Sequence, residues 1–372
     1  MSEKRDFTVV VEVGAGAVGE ARVIAACRKD EGEVGWDLSV QKSGAWRWRI
    51  GDGESEFDYS PTAERQSVAD GEPHLLAFSV NWARAEVRLY YDGLNVAIYS
   101  VKGLKEVARG GAVESSEARV TIEERVLGDE EVAGLNGKSV DVPEERVGQL
   151  KVMAWNIWNG GREHGEVDGV RRVIEIIRDW GADVVAMQET YGSGPIIADA
   201  LGYYFFLRSS NLSIMSRYPI GESFDLFQPF NFGGAMIQLS AAQQLAMHVL
   251  WIHYLPDYAN DVRTGMDAQC LVAGEGETRH REIVEILKEM EPRLGEADER
   301  PVIMAGDYNS PSHLDWTARA AHLRGDLAVE WPVSKRMAEA GMGSMPTGRC
   351  MWTKRRIMGG PTRRFSPRLR IE

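Results

Sequence analysis

Three cysteines in 372 residues, Cys27, Cys270 and Cys350, are too few and too scattered for a disulfide framework or a thiolate metal site. No run of about 18 apolar residues exists, so no membrane span is expected. The polar start Met1-Ser2-Glu3-Lys4-Arg5-Asp6 leads into no apolar signal core, which points to a cytoplasmic protein. Excess positive charge is also missing. A formal net charge of −13 argues against non-specific clinging to nucleic acid, although a metal and local arginines can still create a positive field at a site. Internal repeats are absent. What remains is ordinary for a globular chain, 44% hydrophobic and 27% charged, with a length that suits two domains.

The first third reads as β-sheet. Trp46, Trp48 and Ile50 alternate with Arg47 and Arg49, a period of two with one face buried. Val87, Leu89 and Tyr91 alternate into Asp92-Gly93, and Val96, Ile98 and Ser100 carry the pattern back, as in a hairpin. Short strands and Gly-rich turns running to about residue 135 predict a sandwich. Trp36, Trp46, Trp48 and Trp82 are either core residues or sugar-stacking platforms, and in a sandwich the core reading is the commoner one.

The polar segment Lys138–Arg146 reads as a linker, after which the rhythm becomes strand, helix, strand. Val167, Val170, Ile174, Ile177 and Trp180 predict an amphipathic helix ending at Gly181. Ile283, Val284, Leu287 and Met290 predict another before Pro292. Four apolar runs then end in polar residues. Val152–Trp155 leads into Asn156, Val184–Met187 into Gln188-Glu189, Val249–Ile252 into His253, and Val302–Ala305 into Gly306-Asp307-Tyr308-Asn309. Such runs read as buried strands whose ends hold polar groups rigidly at a sheet rim. Together they supply two carboxylates, two amides and an imidazole, the inventory for cleaving a phosphate ester with Mg²⁺.

Each residue also has a plainer reading. Glu189 suits a metal ligand but could be a solvated strand end. Asn156 is either a neutral second ligand or a partner that orients Glu189. Asp307 and Asn309, two apart, point the same way if the segment stays extended, and otherwise form an Asx turn. His253 can donate to a phosphate or protonate a leaving group, or it is simply a packed histidine. Arg217 is open between substrate binding and a structural salt bridge, and Tyr191 is a candidate phosphate contact. For His313 and Asp315, loop capping is preferred over chemistry.

Trp155-Asn156-Ile157, Gln188-Glu189-Thr190, Ser213–Ile220, Ile252-His253 and Gly306–Asn309 stand in the order found in the endonuclease/exonuclease/phosphatase superfamily, which this chain resembles over about residues 149–335. That superfamily includes deoxyribonuclease I-like nucleases, inositol-polyphosphate phosphatases and neutral sphingomyelinases. Ser310–Trp316 is similar to a bacterial subgroup. The resemblance implies a four-layer α/β sandwich and a phosphoesterase using Mg²⁺ or Mn²⁺. It assigns Glu189 and Asn156 to the metal, Asp307 to positioning the nucleophilic water, and Asn309 with His253 to the charge developing on phosphorus. It leaves nucleic acid, phosphoinositide, phospholipid and small phosphoesters open as substrates. Asp70–Phe78 with Leu89–Gly93, and Leu127–Leu135 as a closing helix, resemble a laminin-G/concanavalin A-like jelly roll, which implies a carbohydrate or protein ligand.

The expected organisation is therefore an all-β jelly-roll sandwich at 5–137, a linker at 138–148, the α/β phosphoesterase domain at 149–342 and a basic tail at 343–372. One departure stands out. The superfamily closes on a strand carrying an Asp-His pair, whereas the last histidine here is His322. The tail instead carries Arg349, Lys354, Arg355, Arg356, Arg363, Arg364, Arg368 and Arg370 with no apolar period, so the closing strand is expected to be missing or replaced. Besides an enzyme, the sequence therefore allows a lectin-like binding protein with a weak or inactive second domain. A basic arm on an anionic partner is a third reading.

Overall fold

The computed structural model describes residues 5–14, 20–29, 34–105, 107–108, 114–115, 118–163, 165–344, 350–353 and 369–370. The chain divides into two compact units, one of residues 1–141, 164–178 and 192–207, the other of 142–163, 179–191 and 208–372. The first boundary falls within the expected linker. The first unit, however, also takes in segments from beyond residue 149, which the linear boundaries at 137 and 149 did not foresee.

The first unit begins with β1 (Phe7–Val13), β2 (Arg22–Lys29), β3 (Val34–Val40), β4 (Trp46–Asp52) and β5 (Glu56–Tyr59). It continues with β6 (His74–Asn81), β7 (Glu86–Tyr91), β8 (Leu94–Ser100), β9 (Glu114–Ser115) and β10 (Ala118–Glu123). These form two antiparallel layers, β10-β1-β6-β7-β8 and β5-β4-β3-β2-β9. The layers meet through aromatic pairs, Trp36 with Phe78 and Trp48 with Tyr99 edge-on and Trp48 with Phe78 tilted, so this is a β-sandwich. Trp36, Trp46 and Trp48 are fully buried in its core and cannot stack on a sugar. Asp92 and Gly93 both take positive φ, which suits the hairpin between β7 and β8. Tyr90, on the opposite face of β7, is also buried, because α1 (Asp129–Leu135) covers that face with Val132. The added segment brings β14 (Tyr204–Leu207) parallel to β8, which covers an edge of the sheet. It also places buried Asp199 where it accepts from Thr62 and from Gln66 Nε2, the latter at 2.8 Å.

In the second unit, β11 (Gln149–Leu150) precedes β12 (Val152–Asn156) and β13 (Val184–Gln188), which run parallel. β15 (Leu212–Ser216) lies antiparallel to β13. The other sheet is built from β16 (Ile220–Phe224), β17 (Phe232–Ser240), β18 (Gln243–Trp251), β19 (Val302–Asp307), β20 (Met342–Ser344) and β21 (Cys350–Thr353). Its order is β16-β17-β18-β19-β21-β20, with β18 and β19 parallel. The sheets pack face to face through β12 and β13 against β18 and β19. In chain order, α2 (Glu166–Trp180, all but its last two residues) and α3 (Gly194–Leu201) belong to the first unit, and α4 (Tyr258–Arg263), α5 (Ala268–Gly276), α6 (Arg279–Gly295) and α7 (Pro332–Glu339) to the second. Ile283, Ile286, Leu287 and Met290 of α6 and Val333 and Met337 of α7 pack on the six-stranded sheet.

Three expectations change here. α2 buries Val170, Val173 and Ile177 but exposes Val167 and Trp180. α6 runs through Pro292 to Gly295 instead of stopping before it. The tail does form strands, Cys350–Thr353 antiparallel to β19 and Leu369-Arg370 as β22 on β11, though neither carries the Asp-His pair of the superfamily's closing strand. Of its basic residues, Arg349, Lys354, Arg355, Arg356, Arg363, Arg364 and Arg368 lie outside the described residues.

Candidate active site

The parallel pairs β12/β13 and β18/β19 each end at one rim of the second unit, and one amide ties them together. Asn156 Nδ2 donates to Glu189 Oε1 at 2.8 Å and to Asp307 Oδ2 at 3.1 Å. Its Oδ1 accepts from the Trp158 N–H at 2.9 Å. An amide nitrogen facing two carboxylates is the electrostatically sound orientation, and it makes Asn156 an orienter in this arrangement. Glu189 Oε2 accepts from the Asn159 N–H at 3.1 Å, so both of its oxygens are held. Asp307 is held likewise, with Oδ1 accepting from the Asn309 N–H at 3.0 Å.

That last contact is an Asx turn. Asn309 has φ +47° and is not extended, and its Nδ2 donates to the Ile252 carbonyl at 2.8 Å. Asp307 and Asn309 therefore do not present parallel side chains from one strand. The Ile252 N–H donates to the Asp307 carbonyl at 3.1 Å, which places His253 beside this turn. The His253 ring is exposed, accepts at Nδ1 from the Leu255 N–H and stacks on Tyr254. Its Nε2 has no hydrogen-bond partner among the described residues.

Glu189 itself sits at φ +56°, an uncommon conformation for a residue with a Cβ. Trp158, Asn159, Tyr191 and Asn309 along the same rim also have positive φ. Such outliers cost about 1–3 kcal/mol each and persist where the surroundings enforce them, commonly at functional sites. What enforces Glu189 was not legible in the sequence. Buried Asn211 accepts from the Glu189 N–H at 3.0 Å and donates to the Phe230 carbonyl at 2.9 Å. No periodicity marks Asn211, which lies in a polar loop between strands. Asn211→Ala leaves the Glu189 N–H and the Phe230 carbonyl, both part-buried, without this partner, so a loss of roughly 1–2 kcal/mol is expected, read as a fall in the denaturant midpoint at unchanged slope.

Tyr191 belongs to this rim. Burial, with the Glu189 carboxylate nearby, pushes its phenol up. Arg217 does not belong to it. β15 is antiparallel to β13, so Arg217 lies at the far end of β13, where it donates to the Ala182 carbonyl and pairs with Asp183 at 3.5 Å. Six strand positions, about 20 Å, separate Asp183 from Glu189. Arg217 is a structural ion pair and the substrate-binding expectation is withdrawn. His313 caps its loop through Ser334, as expected.

No Lys or Arg pairs with Glu189 or Asp307 among the described residues, so two neighbouring carboxylates share one amide without a cation. Among the described residues no cluster of three His, Cys, Asp or Glu side chains forms. Two carboxylates and water suit Mg²⁺ or Mn²⁺, which commonly bind through one or two carboxylates, better than a Zn²⁺ cage. Around this rim Trp158, Phe230 and Tyr254 expose their rings, Trp158 by 64%.

Residues 153–367 match the model of the Endonuclease/Exonuclease/phosphatase family. An uncharacterized protein of Caenorhabditis elegans is 28% identical over 203 residues, 51% of this chain and 63% of that relative's length. A solved structure of humanized D. rerio TDP2 with 14 mutations is 17% identical, with a TM-score of 0.35 over 57% of this chain and 86% of its own. The Ruminococcus gnavus IT-sialidase CBM40 bound to alpha2,3 sialyllactose is 15% identical, with a TM-score of 0.30 over 36% of this chain and 83% of its own.

Proposed function

This chain belongs to the endonuclease/exonuclease/phosphatase family, and we propose that it hydrolyses a phosphodiester or phosphomonoester at the Glu189–Asn156–Asp307 rim. The observation that carries this reading is the single Asn156 amide bridging the two carboxylates from two different strand pairs. Mg²⁺ or Mn²⁺ held by Glu189, with Asp307 beside it, would neutralise phosphate charge there. Asp307 orients the attacking water, its second oxygen fixed by the Asn309 N–H. The free edge of His253 hydrogen-bonds the phosphate or protonates the leaving oxygen, and Asn309 offers its remaining amide hydrogen to a phosphoryl oxygen. For the first unit, a carbohydrate or protein ligand remains part of the proposal, with its surface rather than its buried tryptophans as the contact.

The test is hydrolysis of a bis-aryl phosphate, abolished by EDTA and restored by Mg²⁺ or Mn²⁺. Full activity in EDTA would rule the metal mechanism out. The exposed rings at the rim further favour substrates that carry a flat group, since aromatic stacking contributes roughly 1–3 kcal/mol. Trp158→Ala is therefore expected to raise KM for the bis-aryl ester about five-fold or more while kcat changes little. An unchanged KM would remove Trp158 from the substrate surface.

A further inference from the structure

Glu275 and Arg279 are both buried almost completely, at 0% and 1% side-chain exposure, on the outer side of the loops that carry His253 and Asn309. Glu275 stands near the end of α5 and Arg279 opens α6, one turn apart. Their mutual contact is poor. Arg279 Nε lies 3.5 Å from Glu275 Oε2 and makes no hydrogen bond. Their good contacts go outward instead. Arg279 Nη1 donates to the Pro256 carbonyl at 2.9 Å and reaches the His253 carbonyl at 3.4 Å. Glu275 Oε2 accepts from the Ser310 hydroxyl at 2.9 Å, next to Asn309, and Oε1 accepts from the Val333 N–H at 2.8 Å.

We propose that Glu275 and Arg279 are a positioning pair that holds the His253 loop and the Asn309 turn in register for the reaction proposed above. A buried ion pair kept only for stability is a weak design, because apolar residues of similar size often replace one at no loss. Here each partner also reaches a different site loop, and Glu275 ties its loop to the start of α7 as well. Arg279 fixes the carbonyls on both sides of Leu255, and Glu275 anchors the residue after Asn309. Releasing both leaves the Asn309–Ile252 and Ile252–Asp307 bonds to hold the loops at their roots without support from the outside, and a misplacement of about 1 Å at a reacting group is enough to cost on the order of a hundred-fold in rate.

The inference rests on the proposed phosphoesterase reading, so its test uses one signal that does not. His253 stacks on Tyr254 at 5.6 Å and 9°, and a ring-current shift of its ring protons is expected in the metal-free protein. In Glu275→Leu/Arg279→Met the pair is replaced by apolar volume, but the Val333 N–H, the Ser310 hydroxyl and the Pro256 carbonyl lose their partners, so a lower melting temperature is expected and the signals are read well below it. The His253 ring-current shift should nevertheless collapse, and kcat on the bis-aryl phosphate should fall about ten- to a hundred-fold with KM little changed. If the double variant does not fold, Arg279→Lys is read by the same signals, since the lysine ammonium ends about where the Arg279 Cζ stands, one bond short of the Nη1 that serves both carbonyls. A folded variant that retains the His253 shift, or the wild-type rate, overturns the proposal. A wild-type protein without hydrolysis would instead refute the enzymatic reading, and the His253 shift alone would then decide the positioning role.

Discussion

Asp307→Asn is expected to lower turnover of a bis-aryl phosphate by about a hundred- to ten-thousand-fold, the range that a positioned proton-transfer group contributes. The substitution keeps the shape but not the hydrogen bonding. In the wild type, Oδ1 accepts from the Asn309 N–H and Oδ2 from Asn156 Nδ2. An amide can satisfy only one of those donors, so the turn or the Asn156 bridge must open as well, at roughly 1 kcal/mol. Glu189→Gln meets the same conflict between Asn156 Nδ2 and the Asn159 N–H. Because Asn156 joins the two carboxylates, the effects should be strongly non-additive, and the double variant should be little slower than the worse single one. Multiplicative losses would show that the two carboxylates act separately. Steady-state rates of the three variants at saturating Mn²⁺ decide it.

A second large effect concerns acid. His248 on β18 is fully buried between Phe224 and Phe232, with ring centroids 5.3 and 5.5 Å away. Its ring nitrogens approach the Ala246 and Ile303 backbone without making a hydrogen bond. Burial, helped by the Arg293 charge, lowers its pKa from 6.5 to about 3. The unfolded chain therefore takes up a proton on this ring as pH falls through 6.5, while the native state refuses it until about 3. Stability is complete above about pH 6.5, declines as pH falls through that window and levels off below it. At about 1.4 kcal/mol per unit the full loss is on the order of 5 kcal/mol, comparable with the whole stability of a marginal domain. His248→Leu should flatten this acid limb in urea melts between pH 7 and pH 4. An unchanged pH slope in the variant would mean that carboxylates, not His248, set the acid sensitivity.

The strand ends were legible because four apolar runs stop at polar residues, and a run of that kind fixes where a side chain emerges. Direction was not legible. Arg217 follows an apolar run just as Glu189 does, but β15 is antiparallel to β13, so its end faces the other way. Pairing partners are non-local, and that also hid β14, whose Tyr-Phe-Phe-Leu joins β8 a hundred residues upstream. The rhythm of α2 was right at its centre, where Val170 and Ile177 are buried, while Val167 and Trp180 in the first and last turns are exposed. Asn211, Glu275 and Arg279 act through backbone groups, which leave no trace in a hydrophobic pattern. The short strand Cys350–Thr353 was masked by the arginines around it.

On the reading proposed above, Glu189 and Asp307, bridged by Asn156, form a cation-dependent phosphoester site. Mn²⁺ titration of the metal-stripped protein, followed by the loss of the free-ion paramagnetic signal, tests it without reliance on a substrate. Wild-type protein is expected to take up Mn²⁺ that Glu189→Gln/Asp307→Asn does not, with Mg²⁺ competing. Equal uptake by the wild type and the double variant would contradict the account.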